Sequence, residues 1–314
     1  MVVGGGAPLG PVTRGLHPGR LVGYPGSMSS TRPGRLTLDE LRLALSAPRA
    51  RDGFVSRRLW VRGVSTHYRM STRAPAAPMP VVLVHGLAVS HRYLMPTARA
   101  LSGAHPVYVP DLPGFGLSGK PRAVYGVAEH ARHLAAWLGG VGLPAACLLG
   151  NSFGCEVAAA LAAEYPHLAA ALVLVGPTSD PAARTRRAQI GRWLRDVVRE
   201  DKRQAPILLR DAWDAGPRRV ATTLGHSVRN AVERALRSVE APTLLLRGSR
   251  DLIAPPGWLA EAARVTRNSM LGEIPGAAHN AITTAGPQVA ATVRQFLAGI
   301  PGRTVGNRPG WQPS

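Results

Sequence analysis

The amino-acid sequence predicts an α/β domain with parallel strands and helices on both faces of its sheet, and three observations carry that reading. Short apolar runs alternate with stretches of helical period from about residue 80 to 175 and again from 241 to 297. Strands and helices in alternation pair in parallel and bury both sheet faces. The runs end in turn-forming segments, His85-Gly86-Leu87 after one and Asp111-Leu112-Pro113-Gly114 after the next. Finally, the run 145–149 turns abruptly through Gly150-Asn151-Ser152-Phe153-Gly154 into an alanine-rich helix that stops before Pro166.

In chain order, residues 1–35 are rich in Gly and Pro, lack the apolar core of a signal peptide and are expected to be disordered. Met28 is a second candidate for the natural start, and residues 36–45 have the spacing of a short helix. Residues 54–70 carry Val, Trp, Tyr and Thr around Gly63, the pattern of a two-stranded hairpin. Strands are expected at 80–84, 105–109, 145–149 and 171–175, with helices at 93–101, 126–138 and 157–164 between them. The rhythm then breaks. Residues 178–240 are helical and arginine-rich, with Trp193, Trp213, Pro206 and Pro217 and no strand pattern. Strands resume at 241–247 and 269–274, with helices at 257–267 and 287–297 and a tail, 300–314, expected to be disordered. The domain organisation is therefore a core of 36–177 and 241–299 interrupted by a helical insertion at 178–240.

The chain has 38 basic and 18 acidic residues, a formal charge of +20, which raises the question of an anionic partner. The arginines are spread over loops and helices, with Lys120 and Lys202 the only lysines, and no basic block with interleaved aromatics is visible. That distribution argues against nucleic acid. No apolar stretch reaches the roughly 18 residues of a membrane span, since Glu164, Pro166 and His167 break the longest one, so no stable membrane insertion is expected. Cys147 and Cys155, the only cysteines, fall in a strand and the helix beyond it, too far apart for a disulfide; free thiols fit a cytoplasmic location.

The chemistry centres on Ser152. In G-x-S-x-G a serine sits on a strained strand-to-helix turn, flanking glycines leave room for the backbone, and the hydroxyl is exposed. The helix starts just past it, so its free N–H groups and positive dipole end favour an oxyanion there. A serine nucleophile needs a base, and the base a group that fixes its tautomer. His279, in the loop after the last strand, reaches the carboxyl edge of the sheet, as does Asp251 after the preceding strand. His226 is a rival base, but lies inside the helical insertion, where a packing or solvated role is expected. The order Ser152, Asp251, His279 is nucleophile, acid, base.

Two decoys are set aside. Gly114-Phe115-Gly116-Leu117-Ser118-Gly119 matches a dinucleotide fingerprint, but Pro113 and Lys120-Pro121 leave no helix N-terminus for a pyrophosphate, and position 139 is glycine rather than an acid. Glu129, His130 and His133 have no accompanying ligand set, so a solvated helix face is expected rather than a metal site. Asp111 is expected to shape its glycine turn.

From about Phe54 to Leu297 the chain resembles the α/β-hydrolase superfamily, through His85-Gly86, Asp111-Leu112-Pro113-Gly114-Phe115-Gly116-Leu117-Ser118, Gly150-Asn151-Ser152-Phe153-Gly154, Gly248-Ser249-Arg250-Asp251 and Gly276-Ala277-Ala278-His279. The resemblance implies a mostly parallel eight-stranded sheet flanked by helices, with residues 178–240 as a helical cap over the pocket. It also implies an oxyanion hole from the Leu87 and Phe153 backbone N–H groups. Asp180, after the sixth strand, is the alternative triad acid, because some members of the superfamily place it there.

The implied activity is serine hydrolase chemistry on a small to medium carboxylic ester, through an acyl-enzyme and with no metal or organic cofactor. Cleavage of C–C bonds in ring-cleavage products is an alternative. The Gly-rich oxyanion loop typical of those enzymes is absent after His85-Gly86. Acyl transfer to an alcohol or amine is another, and a catalytically silent ligand-binding protein is the non-enzyme alternative. The insertion's arginines, among them Arg186, Arg187, Arg192, Arg195, Arg218 and Arg219, either select an acidic substrate or form a solvated face.

Overall fold

Strand β1 (Phe54–Val61) and β2 (Val64–Ser71) form an antiparallel hairpin. Its two turn residues, Arg62 and Gly63, both have positive φ, as a two-residue hairpin loop demands. The computed structural model describes residues 52–72 and 79–300. The expectations for the N-terminal extension, Met28, the helix at 36–45 and the tail beyond 300 lie outside these residues.

Six further strands complete one sheet: β3 (Val81–Val84), β4 (Val107–Pro110), β5 (Ala146–Asn151), β6 (Ala169–Val175), β7 (Thr243–Gly248) and β8 (Ser269–Ile274). The order is β1-β2-β4-β3-β5-β6-β7-β8. The pairs from β4 to β8 are all parallel, and β2 joins β4 antiparallel. An eight-stranded, mostly parallel sheet is thus observed as expected. The chain leaves β3 for β4 on one side and later continues from β5 to β6 on the other, so the topological switch lies between β3 and β5. In open α/β sheets the crevice beyond the carboxyl ends of such strands is where ligands bind.

Residues of the central strands alternate between two cores. Val82, Val84, Leu148, Leu172 and Leu174 face α2 (Val127–Val141), α3 (Phe153–Glu164), α7 (Val232–Ser238) and α8 (Pro256–Val265). Val81, Leu83, Leu149, Val173 and Val175 face α1 (His91–Leu101), the short α9 (Ala281–Thr284) and α10 (Gly286–Ala298). Both faces are covered, which is why these strands read as continuous apolar runs. Cys147 belongs to one core and Cys155 to the other, and both are free thiols.

The regular elements between β6 and β7 are all helical: α4 (Arg186–Val197), α5 (Ala205–Ala215), α6 (Pro217–Ser227) and then α7, with short 3-10 turns at Pro181–Ala183 and Lys202–Gln204. Glu156 of α3 anchors it. This buried carboxylate accepts hydrogen bonds from Thr178 (2.7 Å), Ser227 (2.5 Å) and Asn230 (2.8 Å). Burial pushes its pKa up, against these hydrogen bonds, which lower it.

One expectation is corrected. Glu129 is exposed, but His130 and His133 are not on a solvated face; both are buried. Helix α2 presents them to the hairpin and to the residues around the elbow. Thr66 hydrogen-bonds His133 Nε2 at 2.8 Å, and the His130 ring meets Phe153 edge-on at 5.7 Å. Their positions fall on the same helical face as Val127, Leu134 and Leu138, so the apolar spacing had marked that face as inward. Burial pushes His133 down to about 4 and His130 well below the ordinary imidazole range.

Candidate active site

Ser152 lies between the last residue of β5 and the first of α3, with φ 54° and ψ −123°. A non-glycine residue at positive φ is strained and persists only when its surroundings over-determine it. Here they do. A Cβ on Gly150 would lie 2.5 Å from the Gly154 carbonyl oxygen, and one on Gly154 would run into the Val84 and His85 carbonyls, so both glycines of G-x-S-x-G are required by close backbone contact. The Ser152 N–H donates to the Val175 carbonyl at 3.1 Å, and the Asn151 side chain donates to the same oxygen at 2.9 Å. Tyr93 of α1, fully buried, donates its hydroxyl to Asn151. Strand β6 and helix α1 thus hold the turn from two sides.

Across the switch point, Gly86 follows β3, and a Cβ there would sit 3.1 Å from the Ser152 Cβ. His85 fixes this segment: its Nδ1–H donates to the Gly86 carbonyl (2.8 Å) and its Nε2 accepts the Leu112 N–H (2.9 Å). Leu87, half-buried, comes next and is followed by Ala88 at φ 60°. Phe153 occupies the first position of α3, where backbone N–H groups lack intrahelical acceptors.

Asp251 and His279 come together at the ends of β7 and β8. The His279 Nδ1–H donates to Asp251 Oδ2 at 3.0 Å. The other oxygen, Oδ1, accepts the backbone N–H groups of Ile253 (2.8 Å) and Ala254 (2.9 Å). Buried Arg247 donates to the Asp251 carbonyl at 2.8 Å and to the Ala254 carbonyl at 3.0 Å, fixing the loop. One oxygen of Asp251 thus caps the turn that follows it while the other pairs with His279. Gly176 packs directly against the pair: its Cβ position would lie 3.0 Å from Asp251 Oδ2 and from His279 Nδ1. Gly176 is the next residue after Val175, which accepts from Ser152. His279 Nε2, on the far side of the ring from Asp251, is buried without a hydrogen-bond partner among the described residues.

Burial alone would lower the His279 pKa, but Asp251, Asp196 and Glu200 outweigh it and raise it to about 9. Burial likewise opposes the charge on Asp251, and the His279 ring and two backbone N–H groups hold its carboxyl below the usual range. Asp196 and Glu200 come from the insertion and went unnoticed in the sequence. Asp196 accepts the Leu252 N–H at 3.0 Å, and Glu200 the Asn280 N–H at 2.7 Å. Glu200 is raised to about 7, by burial first and by Asp196, against its hydrogen bonds.

The rival residues are committed elsewhere. Asp180 caps the 3-10 turn through the Ala182 N–H and pairs with Arg192 at 2.7 Å. His226 is half-buried and bonds the Tyr125 carbonyl through Nδ1 (3.2 Å). Among the insertion's arginines, Arg219 donates to the Pro121 carbonyl at 2.9 Å, while Arg186, Arg187, Arg195 and Arg218 are exposed. The Gly114–Gly119 segment closes on itself through a Gly114 N–H to Gly119 carbonyl bond of 2.8 Å, and the next helix starts only at Val127.

Asp111 does more than shape that turn. It accepts the backbone N–H of His91 (2.7 Å) and of Leu117 (3.0 Å), and ring N–H groups from His67 and His91, each 2.9 Å from Oδ2. The ligand atoms of His67, His91 and Asp111 lie within 4.8 Å of one another, a spacing that suits a cation. Every contacting atom is already used in these hydrogen bonds, and His67 Nε2 is met by Ser56 Oγ at 3.2 Å.

A parallel sheet with a strained serine at its switch point and a His–Asp pair at its edge defines the class. Residues 79–212 match the sequence profile of the alpha/beta hydrolase fold family, and the chain has that fold. A 2-hydroxy-6-oxo-2,4-heptadienoate hydrolase of Pseudomonas putida is 39% identical over 104 residues, 31% of this chain and 37% of that protein. The matched segments span 37% to 61% of the length of the first curated relatives. Among solved structures, a bacterial membrane phospholipase A shares 24% identity with a TM-score of 0.68, covering 80% of this chain and 88% of that one. An esterase from Thermogutta terrifontis shares 24% identity with a TM-score of 0.62, covering 77% and 98%. At these identities the two structures establish the shared fold.

Proposed function

We propose that the chain is a serine hydrolase that cleaves a small to medium carboxylic ester, with Ser152 as nucleophile, His279 as base and Asp251 as the acid that orients it. The observation that carries this reading is the His279–Asp251 hydrogen bond at the sheet edge that also holds Ser152, with Nε2 left unpartnered. In this reading neutral His279 takes the Ser152 proton through Nε2 as Oγ attacks the carbonyl carbon. The tetrahedral oxyanion accepts hydrogen bonds from the Leu87 and Phe153 N–H groups, aided by the α3 dipole. His279 then returns the proton to the leaving alcohol, and water repeats the cycle on the acyl-enzyme. Residues 178–240 act as the cap, which closes over the crevice and encloses the apolar part of the substrate.

A second reading, hydrolysis of a C–C bond in a ring-cleavage product, is favoured by the 39% identity to the heptadienoate hydrolase segment. One experiment addresses both. The purified chain and its Ser152→Ala variant are labelled with a fluorophosphonate and assayed on esters of graded chain length and on vinylogous diketo acids. Labelling and ester turnover that vanish in Ser152→Ala support the proposal, and a preference for the diketo acids selects the second reading. A wild type that neither labels nor turns over any substrate overturns both.

A further inference from the structure

Helix α4 is amphipathic the wrong way round. Its outward stripe is Ile190, Trp193, Leu194 and Val197, spaced i, i+3, i+4 and i+7, extended by Val198 at 77% exposure. Its inward side chains are polar: Gln189 donates to the Ala183 carbonyl (2.9 Å), Arg192 pairs with Asp180, and Asp196 accepts from Leu252. Helix α5 shares the outward apolar face, while Ile207, Leu208 and Ala215 pack inward on the cores. Leu209 and Trp213, four residues apart, are 72% and 87% exposed, while inward Asp211 accepts from Ser90 Oγ (2.7 Å) and pairs with Arg92 (2.5 Å). A helix held to its domain by polar ties, with its apolar face in water, has that face available for a partner.

Charge selects the partner. Arg186, Arg187, Arg195 and Arg199 flank the α4 stripe, and exposed Lys202 and Arg203 follow it; the one fully exposed acid in this stretch is Asp201. The arginines that look scattered in the sequence are interleaved here with tryptophan and aliphatic side chains. Apolar and indole side chains beside cationic ones suit the boundary between anionic headgroups and acyl chains. Two copies meeting face to face would instead press basic rims of chains carrying +20 each against one another. An aliphatic stripe offers no complement to a phosphodiester strand.

We propose that the outward faces of α4 and α5 dock on an anionic lipid bilayer surface, lying in its interface without crossing it. Helix α4 has 12 residues, about 18 Å of length, against roughly 30 Å of hydrocarbon. None of the described helices is long and apolar enough to span.

The test is co-sedimentation of the full chain with vesicles of phosphatidylcholine alone and of phosphatidylcholine with phosphatidylglycerol, alongside sedimentation velocity without lipid. The expected result is binding to the anionic vesicles that weakens with salt. It should fall roughly tenfold or more in a triple Trp193→Ser, Leu209→Ser, Trp213→Ser variant and persist in Trp60→Ser, which removes an exposed tryptophan on β1. A second variant, Arg187→Glu with Arg195→Glu, should lose the preference for anionic lipid. Circular dichroism checks that each is folded. The proposal is overturned if wild type binds neither vesicle, if the variants bind as it does, or if wild type is a dimer that the triple variant turns into a monomer.

Discussion

The Glu200 carboxylate accepts the backbone N–H of Asn280 at 2.7 Å, one residue beyond His279. A side chain from the insertion therefore holds the loop that carries the proposed base. Gln204 donates to the second oxygen of Glu200 at 2.7 Å, so the carboxylate is oriented and not merely nearby. With Asp196 and Asp251 it raises the His279 pKa.

The consequence is a pH profile that depends on the insertion. The proposed mechanism needs neutral His279, so kcat/KM should climb with pH as the ring loses its proton, and each nearby carboxylate delays that loss. Glu200→Gln keeps an acceptor for Asn280 while removing the charge, and should move the rising limb to lower pH. Titrating the His279 ring by NMR checks this independently of turnover; an unmoved midpoint would show that Glu200 has no electrostatic hold on the ring.

Asp251→Asn should lower kcat by about 10⁴, because an amide no longer enforces the tautomer with Nδ1–H. Asp180→Asn should leave kcat near wild type and weaken the Arg192 tie. In stability, the His279 contribution is present below pH 6.5 and is lost as pH rises through about 9, since its folded pKa is raised. That of Asp251, whose folded pKa is lowered, is present above 3.8 and lost as pH falls. Urea titrations of wild type and Asp251→Asn should accordingly differ most at intermediate pH and converge toward both ends.

Gly86→Ala and Gly154→Ala separate site strain from folding. The first places a methyl 3.1 Å from the Ser152 Cβ, a contact that a small shift relieves, so the protein should fold with turnover reduced roughly 10- to 100-fold. The second drives a methyl into the Val84 and His85 carbonyls at the centre of the sheet, and should yield little or no folded protein on expression. Comparing soluble yield and kcat for the two distinguishes the cases.

Asp111→Ala should destabilise by about 3–5 kcal/mol in denaturant, because four donors lose their common acceptor inside the core. Burial opposes the Asp111 charge, yet His91 and His67 hold its carboxyl well below the ordinary range. Its contribution is therefore present above pH 3.8 and should survive mild acid. Since the trio is saturated by hydrogen bonds, dialysis against a chelator should leave the melting temperature unchanged; a clear drop would identify a bound cation.

The sheet was legible because parallel strands buried on both faces leave uninterrupted apolar runs, as Leu148-Leu149 and Leu172-Val173-Leu174 do. The pairing of Asp251 with His279 was legible from their places after β7 and β8, since any loop there reaches one rim. Glu200 and Asp196 were not, because they act across 80 and 56 residues of sequence, on Asn280 and Leu252, from the turn after α4 and from α4 itself, whose placement no local pattern records. His67 and His91 were missed for the same reason: their shared acceptor, Asp111, lies on a different element from either. His130 was misread by attending to its chemistry before its helical phase.

Glu156 bears on how this scaffold can be re-engineered. Its carboxylate sits one turn behind Ser152, and its hydrogen-bond donors, Thr178, Ser227 and Asn230, all lie beyond β6. Swapping residues 178–240 for a foreign lid would strand an ionisable group in the interior. A successful chimera must either supply matching hydroxyl and amide groups or replace Glu156 with a hydrocarbon side chain of similar volume.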